Sequence, residues 1–467
     1  MTARIAIIGA GISGLTAAYR VRQALGDDVH IDVYESGTIP GGVVRTLDVG
    51  GRAVDVGAEA FIVRRPEAVD LVGELGLGDR VVAPTPRRPA IWSGGRLHPL
   101  PTPALMGIPA TPDAVAELAD PADVEWMADE SSRRLRWRVG DDPSVGDLVA
   151  DRFGPSVVAR SVDPMLGGVY SSLATDIGVR EALPALAAAL DQGAPNLTTA
   201  VTDLTAKATG TGPVFGTLVG GYAVLIDALI EAAGVAPQMC SYVRDLAPGD
   251  GGWNLEVDGD RHVHHDGVVL AMPAWQAGHL LRRAEPRMAA PLQAVPRASS
   301  LVVSIALEPG TVLPDRSGVL VATGDTLRAK AFTFSSRKWA HLADDDGPVS
   351  VRASFGRYRA PIPDDCIEAG VDDRIRAEAL EDLDEVCRAA GVPAPSGRVR
   401  ATYVQRWTNG LPVYAPGHLA AMADVARARP RGLVLAGSAY AGVGVPACIG
   451  QAGRAVSALL ADLADLT

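Results

Sequence analysis

The chain has 467 residues, 48% hydrophobic and 21% charged, which is enough for more than one core and too apolar for a disordered segment. Its 43 Lys and Arg against 55 Asp and Glu leave a net charge of -12, a field that repels phosphate backbones and excludes nucleic acid as the main partner. Cys240, Cys366, Cys387 and Cys448 are scattered without a CxxC pair, no secretory leader precedes them and no long uncharged apolar run follows, so a cytoplasmic protein without a transmembrane segment is expected, peripheral membrane contact staying open.

Arg4-Ile5-Ala6-Ile7-Ile8 reads as a buried parallel strand and Gly9 to Gly14 as its turn. Leu15 to Leu25 follows as a helix with apolar residues three and four apart, and His30 to Glu35 as a second strand. That opening predicts a doubly wound α/β sheet. From about Pro66 to Gln192, amphipathic helical patterns cut by proline-rich stretches predict an insertion. Strand patterns return at Leu255 to Val257, Gly267 to Met272, Ser300 to Leu307 and Val349 to Phe355, so a second, antiparallel sheet is expected over about 276–362. A helix over Asp372 to Ala390, strands at Val399 to Val404 and Gly432 to Ala436, a glycine turn and a helix from Ala447 to Ala464 close the chain.

Gly9-Ala10-Gly11-Ile12-Ser13-Gly14 fits GxGxxG between a strand and a helix. Its glycines permit a tight turn, close approach of a pyrophosphate and close helix–strand packing. Glu35, 21 residues after Gly14, closes the second strand where a carboxylate accepts ribose hydroxyls and repels a 2′-phosphate. An adenine dinucleotide follows, without a choice between FAD and NAD. The next segment favours FAD: Ser36 leads to the glycine pair Gly41-Gly42, then Val43, Val44 and Arg45, an arginine that can reach a pyrophosphate or flavin edge. Asp55-Val56-Gly57-Ala58-Glu59-Ala60 is another close-approach turn. Near the C-terminus, Leu433 to Ile449 is again strand, glycine turn and helix, and the helix start offers free N–H groups to a flavin carbonyl edge through Val443, Gly444 and Val445.

Two features invite other chemistry. His262, His264 and His265 lie on a hairpin strand where His265 points away from the other two, which speaks against a metal site. Cys448, beside the C-terminal turn, has no partner cysteine near in sequence and reads as a buried, inert thiol.

The opening through Arg45 resembles the flavin-containing amine oxidase superfamily. Asp163 to Tyr170, Gly220-Gly221-Tyr222, Ala331 to Trp339, Arg406-Trp407 with Leu411-Pro412, and Gly442 to Val445 are together similar to the oxygen-dependent protoporphyrinogen/coproporphyrinogen oxidase family, most like its soluble Gram-positive-type branch. The resemblance implies a Rossmann-like FAD domain from residues 1–85, 214–275 and 398–467. It adds an α+β substrate domain on an antiparallel sheet, 86–104 and 276–397, and a helical insert, 105–213, lining the substrate cavity. It carries FAD contacts over to Gly9 through Gly14, Glu35, Ser36, Gly42, Arg45, Gly57, Ala58, Glu59, Val243, Trp407, Val443, Gly444 and Val445.

The implied activity is six-electron oxidation of coproporphyrinogen III to coproporphyrin III in haem biosynthesis, with O2 as acceptor and H2O2 released. No side chain is expected to act as acid, base or nucleophile. Protoporphyrinogen IX is the alternative substrate, and a flavin amine oxidase or a non-catalytic flavin-bearing haem-pathway protein the further alternatives. A transient contact with a ferrochelatase is a further expected partnership. Four propionates call for cations around an apolar cavity; the candidates are Arg64, Arg65, Arg87, Arg88 and Lys338, with Gly168 and Tyr170 in the cavity wall. Pro89 stands where some relatives place a basic residue.

Overall fold

The computed structural model describes residues 3–207, 212–360, 362 and 370–464, so Cys366 lies outside the described residues. Strand β1 (Ala3–Ile8) runs parallel to β2 (Val29–Tyr34) on one side and to Gly267–Leu270 on the other, and Leu433–Leu435 extends the sheet. Helix α1 (Ile12–Leu25) makes the first crossover. Because side chains alternate along a strand, Ile5 and Ile7 face α1 and the closing helix Val445–Ala464, while Ala6 and Ile8 face a three-stranded antiparallel meander over residues 243–265. Burial on both faces explains the near-continuous apolar run of β1. The two ends of the chain thus share one core, with Leu15 and Val21 beside Ile449 and Val456.

A second sheet has seven strands in the order Val399–Pro412, Arg297–Leu307, Val349–Phe355, Ala331–Thr333, Gly318–Val321, Ala90–Ser93 and Arg96–Pro99. It departs from the sequence expectation in three ways. Residues 274–294 form two helices, so the sheet begins at Arg297. Gly318–Val321 pairs with Ala90–Ser93 in parallel, the one parallel pair in this sheet, because the chain reaches that edge from a distant segment. The strand expected at Val399 to Val404 runs on to Pro412 and pairs with Arg297–Leu307 in this sheet. The helix Val371–Ala389 covers one face through Ile375, Ala379, Leu383 and Val386. The other face meets the hairpin of residues 46–55, with Ala306 against Val49, Val54 and Val56.

The insert packs short helices around Val149, Phe153, Val162, Leu166 and Leu186. A π-helical turn, Val158–Val162, leads into the helix Asp163–Tyr170. The insert docks on the loop after Pro412: Gly178 N–H donates to the Tyr414 carbonyl (2.9 Å), Gly417 N–H to Asp142 (2.7 Å) and Leu419 N–H to Glu181 (3.0 Å). Burial raises the Glu181 carboxyl and the adjacent Asp142 raises it further, against the partial relief of the Leu419 N–H. A carboxyl raised in the folded state holds a proton that the unfolded chain releases, so its contribution to stability falls as pH rises from 4.5 towards neutrality. Glu181→Gln keeps the acceptor for Leu419 and removes the titration. Its Tm relative to the parent should therefore climb by ~2 °C or more between about pH 5 and about pH 8; thermal scans showing a constant or falling difference would refute this.

Candidate functional site

Three glycine turns converge at the C-terminal end of β1. A Cβ on Gly14 would sit 1.9 Å from the Gly9 carbonyl oxygen, and Gly9 itself (φ +110°) lies against Ala271. These positions are closed to side chains by the fold alone. Gly11 differs: a Cβ there would meet nothing nearer than 3.9 Å, so the turn faces open space. The second glycine pair lines the same hollow, with Gly41 N–H donating to the Ala10 carbonyl (2.8 Å) and Gly42 (φ +60°) against Gly11. Gly11 gives α1 no side-chain cap, so the first-turn N–H groups are available to an anion.

Glu35 accepts from Ala10 N–H at Oε2 (2.8 Å) and from Gly37 N–H at Oε1 (2.7 Å), which fixes the carboxylate at the rim of the hollow with lone pairs to spare for hydroxyls. Ser36 is exposed beside it. Ser241 N–H donates to the Glu35 carbonyl (2.9 Å) and brings Val243, half-buried at the start of the meander, to the same rim.

Arg45 lies over the Trp407 ring at 5.4 Å, and its Nε is buried without a partner. Trp407 Nε1 donates to the Val56 carbonyl (3.1 Å), and a Cβ on Gly57 would stand 1.8 Å from the Val43 oxygen. Ala58 N–H donates to that Val43 oxygen (3.2 Å), so residues 43–45 and 56–58 form one wall, with the Val43 side chain outward and Ala60 half-buried at its end. At the other side, Gly442 N–H donates to the Tyr414 hydroxyl (2.6 Å), which donates to the Ser438 carbonyl (2.6 Å). This bond holds the turn Val443-Gly444-Val445 at the start of the closing helix. Burial pushes the Cys448 thiol up to about 11, the environment of an inert group. His265 is buried on Asp32 (2.9 Å), apart from His262 and His264.

The hollow fits a flavin dinucleotide. Gly11 leaves the room a pyrophosphate needs, and the unpartnered Arg45 donor stands ready for an acceptor.

The cation candidates divide. Arg65 pairs with Glu67 (2.8 Å), Arg87 with Asp315 (2.6 Å), Arg64 donates to the Gly212 carbonyl (3.0 Å), and Arg88 is exposed. Lys338 is bound to Glu59 (2.9 Å), so its charge is spent inside the protein rather than free for a propionate. Glu59 also accepts from Ser335 (2.5 Å) and faces Arg352 (3.7 Å). Burial would raise this carboxyl, but Lys338 and Arg352 with the Ser335 bond hold it at about 2. Gly168 is exposed beside Leu320, and the Tyr170 ring packs on Tyr414 at 6.0 Å.

Sequence reasoning missed Tyr414, Arg352, Ser335 and the Asp55–Thr46 pair. Thr46 Oγ1 donates to Asp55 (2.6 Å), which also accepts from Tyr222 N–H (3.0 Å), and Gly221 is confined by both side chains. The Asp55 to Ala60 turn, the Gly220-Gly221-Tyr222 motif and the Ala331 to Trp339 segment gave signals there, but none disclosed its partners.

The profile of flavin containing amine oxidoreductases matches residues 12–460. Coproporphyrinogen III oxidase of Mycobacterium leprae is 45% identical over 99% of this chain and 100% of its own, and that of Bacillus subtilis 26% identical over 98% of each. A crystal structure from Exiguobacterium sp. 255-15, assigned as a protoporphyrinogen oxidase, superposes with a TM-score of 0.84 at 27% identity over 99% of both chains. Cyclohexylamine oxidase from Brevibacterium oxydans shares the fold at a TM-score of 0.69, 16% identity and full coverage of both chains.

Gly11→Val and Gly14→Ala should separate cofactor binding from folding. The first should fold but lose the flavin absorbance. The second, where a Cβ meets backbone, should lose about 2–3 kcal/mol of stability in denaturant titration. Full flavin content in Gly11→Val would remove the glycine turn from the site.

Proposed function

The chain belongs to the flavin containing amine oxidoreductase family, and from that premise we propose that it is an FAD-dependent oxidase converting coproporphyrinogen III to coproporphyrin III. One observation carries the reading: the likeness to coproporphyrinogen III oxidases runs through the flavin turns, the insert and the second sheet alike, over 99% of the chain. A likeness confined to the dinucleotide turns would have left the substrate open. The amine oxidase neighbours share the fold at 16% identity and carry no substrate.

When bound, the flavin would take a hydride from a meso carbon of the porphyrinogen and pass two electrons at a time to O2, so three turnovers yield the aromatic ring and three H2O2. The chain's part is to hold and orient. Gly9 through Gly14 with the α1 N-terminus would seat the pyrophosphate, Glu35 the ribose hydroxyls, and Ser36 and Val243 the adenosine end. Arg45, Gly42, Val43, Gly57, Ala58, Glu59, Ala60 and Trp407 would wall one side of the flavin, and Val443, Gly444 and Val445 the other. Gly168 and Tyr170 would line the macrocycle cavity between insert and sheet. Among the described residues no group of His, Cys, Asp or Glu is arranged to hold a metal, and no helix is long and apolar enough to cross a membrane. We retain the three-part division, with the second sheet extended to Pro412, and the ferrochelatase contact as proposals.

Anaerobic coproporphyrinogen III should bleach the yellow protein, and in air each coproporphyrin formed should be accompanied by three H2O2. The kcat/KM for coproporphyrinogen III should exceed that for protoporphyrinogen IX. Equal or better use of the latter would reassign the substrate, and peroxide from amines alone would overturn the reading.

A further inference from the structure

Two cations meet beside the helix Asp163–Tyr170, and among the described residues no carboxylate forms an ion pair with either, although the Asp163 carboxyl lies near enough to act on Arg357. Lys330 Nζ donates to Ser171 Oγ (2.7 Å) and to the Gly356 carbonyl (2.8 Å), which leaves one of its three N–H groups to spare. Arg357, just past the strand Val349–Phe355, reaches Thr323 Oγ1 (3.3 Å) and the Val321 carbonyl (3.5 Å) and no other acceptor among the described residues. Neither forms an ion pair among the described residues, whereas Lys338 pairs with Glu59 and Arg359 with Asp176. Asp163, whose field reaches Arg357, accepts from Ala174 N–H (2.8 Å) and from Thr323, and burial raises it. Burial, then the charge of Arg357, pulls Lys330 down to about 7, and burial also lowers Arg357. Adjacent, partly buried cations are costly unless an anion joins them.

Their position says which anion. A Cβ on Gly167 would lie 4.0 Å from Arg357 Nε, and Lys330 holds Ser171 at the C-terminal end of the same helix. Gly168 and Val169 are exposed on that helix, and Tyr170 leads through Tyr414 to the Gly442 turn. The pair is thus connected through the end of this helix and Tyr414 to the Gly442 turn proposed for the flavin. The surface arginines Arg65 and Arg87 are already paired.

We propose that Lys330 and Arg357 form a subsite for one carboxylate arm of the tetracarboxylate substrate, with Ser171 orienting the lysine. This rests on the porphyrinogen oxidase reading and names where one arm goes. Bidentate Arg–carboxylate geometry with a lysine on the second oxygen satisfies both cations at once.

The test is steady-state kinetics of the holoenzyme with Lys330→Met and Arg357→Met, using coproporphyrinogen III and its tetramethyl ester. The KM for the tetra-acid should rise about tenfold or more with a smaller change in kcat, the KM for the ester should stay near that of the parent, and Lys330→Arg should recover part of the loss. Parallel shifts for acid and ester, or an unchanged KM, would overturn the subsite. If Lys330→Met fails to fold, Arg357→Met decides alone. If the parent oxidises no porphyrinogen, the oxidase reading fails separately. Fluorescence titration with coproporphyrin III, which needs no turnover, then decides the subsite: about tenfold weaker binding in the variants supports it and equal binding refutes it.

Discussion

Backbone pressed against backbone is the constraint on which the rest of this structure depends. The Gly9 carbonyl lies where a Gly14 side chain would be, and the Val43 carbonyl where a Gly57 side chain would be. Each contact brings a chain segment to within a bond length or two of another, which no residue with a Cβ permits. Together they fold residues 9–14, 41–45 and 56–58 around a hollow that only Gly11 faces without obstruction. The closing helix completes the enclosure because its apolar face, Ile449, Ala452 and Val456, shares a core with α1. A discontinuous domain follows from this geometry: the hollow needs walls from both ends of the chain, and the sheet supplies them side by side.

The second sheet is located by charge as well as by packing. Glu59 belongs to the glycine wall, while Lys338, Ser335 and Arg352 belong to the sheet, so the ion cluster spans the boundary between them. Apolar contact between Ala306 and Val54 is tolerant of sliding, whereas an ion pair with a hydroxyl on the same carboxylate fixes orientation. Arg352 adds a bond to the Gly57 carbonyl (2.5 Å), which ties the sheet to the glycine wall. Buried Arg352 thus stands where two layers have to hold register.

Local features were legible in the sequence because local chemistry produces them. Strand, glycine turn and helix at residues 3–25 follow from apolar periodicity and from the steric need for glycine, and the strand Val349–Phe355 is found where its alternation puts it. What stayed hidden is pairing between distant residues. Lys338 read as a free cation because nothing in its neighbourhood discloses Glu59, 279 residues away. Val399 to Val404 read as a short strand because polar residues interrupt the alternation. Hydrogen bonds to Arg297–Leu307 carry it on to Pro412 regardless. Tyr414 gave no signal at all, since its role rests on a hydroxyl that meets Ser438 and Gly442, 24 and 28 residues further on.

The contrast between the lysines explains why this arginine-rich chain keeps any. Lys338 sits against the Glu59 carboxylate, a place an arginine could fill as well. Lys330 is different, because it lies beside Arg357 without an ion pair among the described residues, and burial with that neighbouring charge lowers it to about 7. Arginine cannot release its proton under such conditions, and a pair of arginines would carry the full repulsion at all times. In the subsite proposed above, a lysine–arginine pair would ease that repulsion while no carboxylate is bound and would hold one with both groups charged. The residue type, uncommon in this composition, is the one whose proton affinity can follow the occupancy of the site.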